Sequence, residues 1–426
     1  MSPQLRAAFG FVVLLGVAWL ISVDRRRFPV KAVLGGVALQ FALALFVLKT
    51  RIGGVIFEWI GGLVDVVIQA TDKGTEFVFG NLAHPDGSWG FIFATKALPN
   101  IIVFSSLSAV GYHLGVLQKV VAMMAWVMKR LMGTSGAESL SAAANVFLGQ
   151  TEAPLFVRPY IPRMTISELN AVMIGGFATI AGSLIAVYAQ MLGHENHEAI
   201  AQMAMHLLAA SLIATPGSLF VAKILIPERE VPETAGNVRL KVERTTQNVI
   251  DAAASGALEG LKLALNVGAM LIAFIALIAI LDFALSWFGG LEFMTPLVRS
   301  LGIERLNLDS LLGLVFSPVA WLIGLPDSDI RPFGSLLGKA MSINEFLAYK
   351  SLADMTVGHV LTDRSMTLAV YALCGFANFS SIAIQIAGIG GMAPNRYHDL
   401  ARIGLRAMFG GALTCWMTAC VAGVMT

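Results

Sequence analysis

Long apolar stretches dominate the chain, and their length is that of membrane spans. A helix needs about 20 apolar residues to cross a bilayer. Eight stretches reach or approach this: 8–23, 30–48, 90–111, 168–192, 203–226, 259–287, 365–391 and 402–425. Residues 53–71 are also apolar but carry Glu58 and Asp65, which suits a helix lying at the membrane interface. Residues 115–132 end in Lys129 and Arg130 and read the same way. Residues 311–325 are apolar but contain Ser317 and Pro318. Two further stretches, 137–163 and 333–355, are half polar and do not read as simple spans.

Positive charge orients these elements, since cytoplasmic loops are rich in Lys and Arg. The 24–31 loop holds Arg25, Arg26, Arg27 and Lys31, so it is expected inside. Alternation then puts 227–248 inside, with Arg229, Arg239, Lys241 and Arg244, and 393–403 inside, with Arg396 and Arg402. The 193–200 loop has two Glu and no Lys or Arg, and falls outside. Both termini come out extracytoplasmic. The count closes only if 137–163 and 333–355 each enter and leave on one side, as re-entrant hairpins. A short repeat supports that arrangement: GFATIAGS (176–183) resembles GFANFSSI (375–382), and each follows a hairpin bearing a glutamate, Glu152 or Glu345. Two such units in opposite orientations make an inverted repeat, a common transporter design.

Composition agrees. Only 13% of residues are charged, against about 25% in a soluble domain. Mean hydropathy is +0.75. A net charge of +2 gives no reason to expect nucleic acid. Cys374, Cys415 and Cys420 lie in apolar stretches without metal or disulfide spacing and read as packing residues. The first apolar run precedes its Arg cluster and lacks a small-residue cleavage site, so it is expected to stay as a helix and not to act as a signal peptide. The prediction is an all-α integral membrane protein with eight transmembrane helices, two re-entrant helical hairpins in an inverted repeat, and interfacial helices.

The polar residues inside this apolar frame carry the chemistry. In NVFLGQTEAPLF (145–156), Gly149 and Pro154 would break a helix around Gln150, Thr151 and Glu152. Broken helix at membrane depth is tolerated only where protein or a watery cavity satisfies the backbone. The turn offers acceptors, an amide donor and a hydroxyl, a set suited to a polar, planar, neutral solute. A surface loop is the plain alternative. In GKAMSINEFLAY (338–349), Asn344 and Glu345 form a polar break, and Glu345 is a strong acceptor for hydroxyls. In CGFANFSSI (374–382), Asn378 and Ser381 share one face if helical, with Gly375 easing local unwinding. Interhelical hydrogen bonding is the plain reading of Asn378 and Ser381.

These three strings together closely resemble the concentrative nucleoside transporters, over about residues 90–426 and in the N-terminal two-span arrangement of bacterial members. The resemblance implies a sodium-coupled importer of nucleosides such as uridine, cytidine and adenosine, with elevator-type alternating access and no organic cofactor. It implies that Gln150, Thr151 and Glu152 contact the base and that Leu184 packs on it. Glu345, Asn378 and Ser381 would hold the ribose, with Phe376 near the sugar. Sodium would be held by Asn145, Thr179 and the backbone carbonyls of Leu148 and Ile180. Thr179 stands where the family often has serine, and keeps the hydroxyl. The resemblance also implies a homotrimer in a bacterial inner membrane. Its transport repeats would be 137–226 and 333–426, sliding on a scaffold of 90–111 and 259–287, with 1–89 as the N-terminal region.

Other readings stay open. Some bacterial members use protons. GTSG (133–136) fits an intramembrane serine protease with Ser135 as nucleophile, which would need a partnered His such as His206. His194 and His197 could bind a metal, although no H-E-x-x-H follows. Lys96 and Asn100 could pair across a helical turn. A channel or a receptor could also use two hairpins.

Overall fold

A computed structural model describes residues 1–83, 92–193, 196–235, 246–303 and 305–426. Among them all regular structure is helical. The N-terminal helices are α1 (Pro3–Leu20), α2 (Val30–Lys49) and α3 (Arg51–Phe79), followed by α4 (Phe93–Lys96), α5 (Leu98–His113) and α6 (Val116–Met132). Next come α7 (Gly136–Ala144), α8 (Ile166–Ala178), α9 (Gly182–Gly193) and α10 (His197–Leu225). Then come α11 (Val249–Gly289), α12 (Thr295–Ser300) and α13 (Leu308–Ile323). The C-terminal part holds α14 (Ile330–Ser342), α15 (Glu345–Val357), α16 (Asp363–Ala372), α17 (Phe379–Met392) and α18 (Tyr397–Met425).

Eight helical stretches among the described residues are long and apolar enough to cross a membrane. Seven match expected spans; the first two residues of the 90–111 stretch lie outside the described residues. The eighth is α3, 29 residues long. It was expected to lie at the interface, and one stripe of it is buried, from Phe57 and Gly61 through Asp65, Ile68 and Thr75, while Glu58 and Trp59 stay exposed. The expected single span at 365–391 is corrected. It is two short helices, α16 and α17, separated by a non-helical segment at 373–378. Hydropathy cannot see this break because Phe376 and Ala377 within it are apolar. The helix restarts at Asn378, whose side chain accepts from the Ser381 amide at 2.9 Å; such caps contribute about 1 kcal/mol.

A second interruption, at Thr179–Ala181, separates α8 from α9. The two interruptions lie against each other. A Cβ on Gly375 would stand 2.4 Å from the Phe177 carbonyl, so only glycine permits this approach. Cys415 on α18 stitches the crossing, its thiol donating to the carbonyl of Cys374 at 3.1 Å and facing that of Ala178 at 3.6 Å. These are carbonyls that lose helical partners where the helices stop.

The two half-polar stretches fold as helical hairpins of unequal limbs. Residues 330–357 are two α-helices joined at Ile343 and Asn344. Residues 136–163 descend as α7 but return as two 3₁₀ turns, Ala153–Val157 and Ile161–Arg163. Pro154, Pro159 and Pro162 explain the difference, since each lacks a backbone donor and obstructs an α-helix. A buried ion pair anchors the first hairpin: Lys223 on α10 meets Glu138 on α7 at 2.7 Å and Glu228 at 3.2 Å.

The basic loops meet at one end of the bundle. Arg229 pairs with Asp24 at 2.9 Å and Arg163 with Glu233 at 2.9 Å, and Arg396 donates to the Met164 carbonyl. Arg239, Lys241 and Arg244 lie outside the described residues. Both termini sit at the opposite end, where Arg364 donates to the carbonyls of Gly324 and Gly423 and Arg6 pairs with Asp327. Near that end Asp329 accepts from Thr362. Burial acts to raise its pKa, but hydrogen bonds from Ser365, Ser328 and Thr362 hold it below the usual carboxylate range.

The most apolar stretches of α8–α9, α10 and α18 are largely buried. In contrast α11, packed along α5, exposes Leu258, Leu265, Ile272, Ile280 and Phe283.

Candidate functional site

Both hairpin tips and both helix interruptions converge on one cavity of about 330 Å³. The first hairpin supplies Gln150, Thr151 and Glu152; α9 supplies Leu184; the second hairpin supplies Glu345; the 373–378 break and the start of α17 supply Phe376, Asn378 and Ser381. All eight residues expected to hold a solute therefore line the same space. A volume in this range suits a small organic solute.

Each polar group is set by local structure. Asn344 caps α15 by accepting from the Leu347 amide at 2.9 Å, which puts Glu345 in the first turn. Glu345 Oε2 accepts from Asn378 Nδ2 at 2.9 Å, and Oε1 from the Tyr188 hydroxyl at 3.4 Å. Tyr188 is held in turn by stacking on Tyr349, with ring centroids 4.2 Å apart. A carboxylate has about four lone-pair sites, so Glu345 keeps acceptor capacity for a ligand. Glu152 accepts from the Gly149 amide at 3.1 Å, which closes the hairpin turn. It also lines a neighbouring cavity of about 520 Å³, together with Ser105 and Glu259.

A second polar cluster lies behind the first hairpin tip. Asn145 is fully buried; its Nδ2 donates to the Ser141 carbonyl at 3.0 Å, and its Oδ1 has no hydrogen-bond partner. Asn145 packs near Gly175, whose carbonyl accepts from the Thr179 hydroxyl at 2.8 Å. Among the described residues no backbone amide reaches the carbonyls of Leu148 or Ile180, both in non-helical segments. The Gly182 amide donates to the Phe147 carbonyl at 3.2 Å and ties this turn to the start of α9. An orphaned buried amide oxygen, a hydroxyl and two carbonyls without a backbone-amide partner among the described residues are hard oxygen donors, the kind of set that suits a sodium ion.

Several lining residues escape sequence reasoning. Glu259, Lys262 and Asn266 are the polar members of the α11 wall of the cavity, at spacings that share a helix face. Charges at that spacing inside an apolar stretch were the available signal. Gln385 touches Gln150 from a fully buried position, and nothing in its sequence context marks it.

The other residues singled out in the sequence have structural partners where they are described. The Ser135 hydroxyl donates to Glu168 at 2.6 Å and caps α7. His206 is hydrogen-bonded to the Tyr371 hydroxyl at 3.0 Å, away from Ser135. His197 pairs with Asp65 at 3.0 Å; His194 lies outside the described residues. No group of three or more metal-ligating side chains occurs among the described residues. Asn100 donates to the Lys96 backbone carbonyl at 3.1 Å and to Gln190 at 2.9 Å, a structural role.

Known proteins match this chain along its length. Three family models match: "Na+ dependent nucleoside transporter N-terminus" at residues 9–82, "Nucleoside recognition" (Gate) at 94–195, and "Na+ dependent nucleoside transporter C-terminus" at 206–423. An uncharacterized transporter of Haemophilus influenzae is 43% identical, over 99% of this chain and 97% of that protein. Sodium/nucleoside cotransporter 1 of Mus musculus is 38% identical over 99% of this chain, which spans 64% of the mouse protein. Among solved structures, CNTnw in an inward-facing substrate-bound state superposes with a TM-score of 0.88 at 41% identity, covering 100% of this chain and 98% of that one. A variant of CNTnw in an outward-facing state gives 0.89 at 40% identity, covering 99% and 98%.

Proposed function

The chain belongs to the sodium-dependent nucleoside transporter family, and from that premise we propose that it is a symporter importing nucleosides such as uridine, cytidine and adenosine on the sodium gradient. It is a multi-pass membrane protein and not an enzyme. One observation carries the proposal: two hairpin tips and two interrupted helices bring Gln150, Thr151, Glu152, Leu184, Glu345, Phe376, Asn378 and Ser381 to a single cavity. In this reading the Gln150, Thr151 and Glu152 turn binds the base, Leu184 packs on it, and Glu345, Asn378 and Ser381 bind the ribose beside Phe376.

Sodium is the coupling ion, held by Asn145, Thr179 and the carbonyls of Leu148 and Ile180. The unpartnered Asn145 Oδ1 supports this. The hairpins are re-entrant, and the two repeats move as a transport body against α5 and α11 in an elevator-type cycle. The difference in burial between α8–α10 and α11 supports the division. The exposed apolar face of α11 is the contact of a homotrimer. The membrane is a bacterial inner membrane with the basic loops inside and both termini outside.

Uptake of tritiated uridine into proteoliposomes tests the whole reading. Accumulation is expected with an inward sodium gradient and not without one. Accumulation driven by a pH gradient alone would replace sodium by protons, and no counterflow of preloaded uridine would replace a transporter by a channel.

A further inference from the structure

Gln385, on α17, is fully buried and lies one helical turn beyond Ser381. Its Nε2 donates to two acceptors, the Met173 backbone carbonyl on α8 and Gln150 Oε1, each at 3.1 Å. A backbone carbonyl can only accept, so the Gln385 nitrogen must face Met173. Both of its amide protons are then committed. Gln150 must answer with its oxygen, and because an amide is planar its nitrogen faces the other way. That nitrogen points to Ser381 Oγ at 3.4 Å, on the wall of the cavity. One of its two protons serves Ser381, and the other has no partner among the described residues. Gly176 closes around the pair: a Cβ there would stand 2.8 Å from Gln385 Nε2 and 2.9 Å from Gln150 Cβ.

We propose that Gln385 is a positioning residue that fixes the Gln150 amide with its nitrogen toward the ligand, and so selects nucleosides whose base presents an oxo oxygen at that edge. This rests on Gln150 being a base contact. Uridine is then favoured over cytidine, and inosine over adenosine, because an amino group would set donor against donor and leave both unpaired.

Gln385→Glu tests the orientation. Ionised, the introduced carboxylate has no proton to give; protonated, it has one, which the Met173 carbonyl takes. Either way it offers Gln150 only an acceptor. The Gln150 amide then turns over and presents its oxygen to the cavity. Gln385→Met keeps the length without polar atoms and frees the amide to rotate. The measurement is competition of unlabelled uridine, cytidine, inosine and adenosine against tritiated uridine bound to the purified full-length protein in saturating sodium. Wild type should rank uridine above cytidine and inosine above adenosine. Gln385→Glu should reverse both orders, each ratio moving about tenfold or more. Gln385→Met should bring both ratios toward one. Gln150→Leu is run beside them. If Gln150→Leu changes the ranking and neither Gln385 variant does, the role of Gln385 is overturned and the base site stands. If all three keep the wild-type ranking, the base site falls and the inference with it. A wild type that prefers cytidine and adenosine overturns the inference directly.

Discussion

Glu345 places two carboxylate oxygens in the cavity and gives each a single protein partner, Asn378 or Tyr188. Ribose hydroxyls can donate to the acceptor sites that remain. A hydrogen bond to a charged group is worth about 1.5–3 kcal/mol. Glu345→Gln should therefore weaken uridine binding about tenfold or more, and should weaken a dideoxy analogue much less. Equal losses for both ligands in a binding competition would refute the hydroxyl assignment. At this scale the sequence was legible wherever a polar residue interrupted an apolar run, as at Gln150, Glu152 and Glu345. It was not legible at Gln385 or Tyr188. An amide or a phenol inside a span has the same local pattern whether it bonds a neighbouring helix or orients a ligand contact, and only the partner's position separates the two.

Helices were legible as lengths and misread as continuity. Residues 365–391 have the hydropathy of one span, yet the chain leaves the helix at 373–378. The cause is non-local: Gly375 abuts the Phe177 carbonyl, and Cys415 of a third helix takes up freed carbonyls. A similarly close approach at the other interruption is Gly182, where a Cβ would stand 2.4 Å from the Phe147 carbonyl. Gly182→Ala should push the first hairpin tip off α9 and raise the half-saturating concentrations of both uridine and sodium. Gly62→Ala on α3 is the control, since nothing lies within 4 Å of its added methyl. Wild-type uptake constants in Gly182→Ala would show that the contact does not shape the site. The Lys223 ion pair belongs to this scale as well. Removing one member of a buried pair costs about 3–5 kcal/mol, so Lys223→Met should lower the melting temperature in detergent markedly by leaving Glu138 and Glu228 uncompensated. An unchanged melting temperature would mean that the hairpin does not depend on this anchor.

The whole molecule joins two candidate sites through one short turn. Asn145 and Leu148 on the cation side and Gln150 to Glu152 on the base side belong to a single non-helical segment of the first hairpin. Thr179 and Ile180, on the cation side, lie in the interruption just before α9, whose Leu184 is on the base side. Filling either site should therefore order the backbone that forms the other, which is a coupling free energy and must be reciprocal. Sodium should raise uridine affinity by some factor, and uridine should raise sodium affinity by the same factor. Typical couplings lie at about 5–150-fold. Thr179→Val keeps the volume and removes one oxygen from the cation side, while no atom of residue 179 lines the cavity. It should raise the sodium needed for half-maximal uridine binding and should leave uridine affinity at saturating sodium near the wild-type value. Equilibrium binding of tritiated uridine across a sodium titration, with lithium or choline as the replacement cation, measures both quantities. If Thr179→Val weakens uridine equally at every sodium concentration, residue 179 supports the fold of the turn and not the ion. If uridine binding in the wild type ignores sodium altogether, the two halves of the hairpin are not coupled and sodium has no place in the cycle.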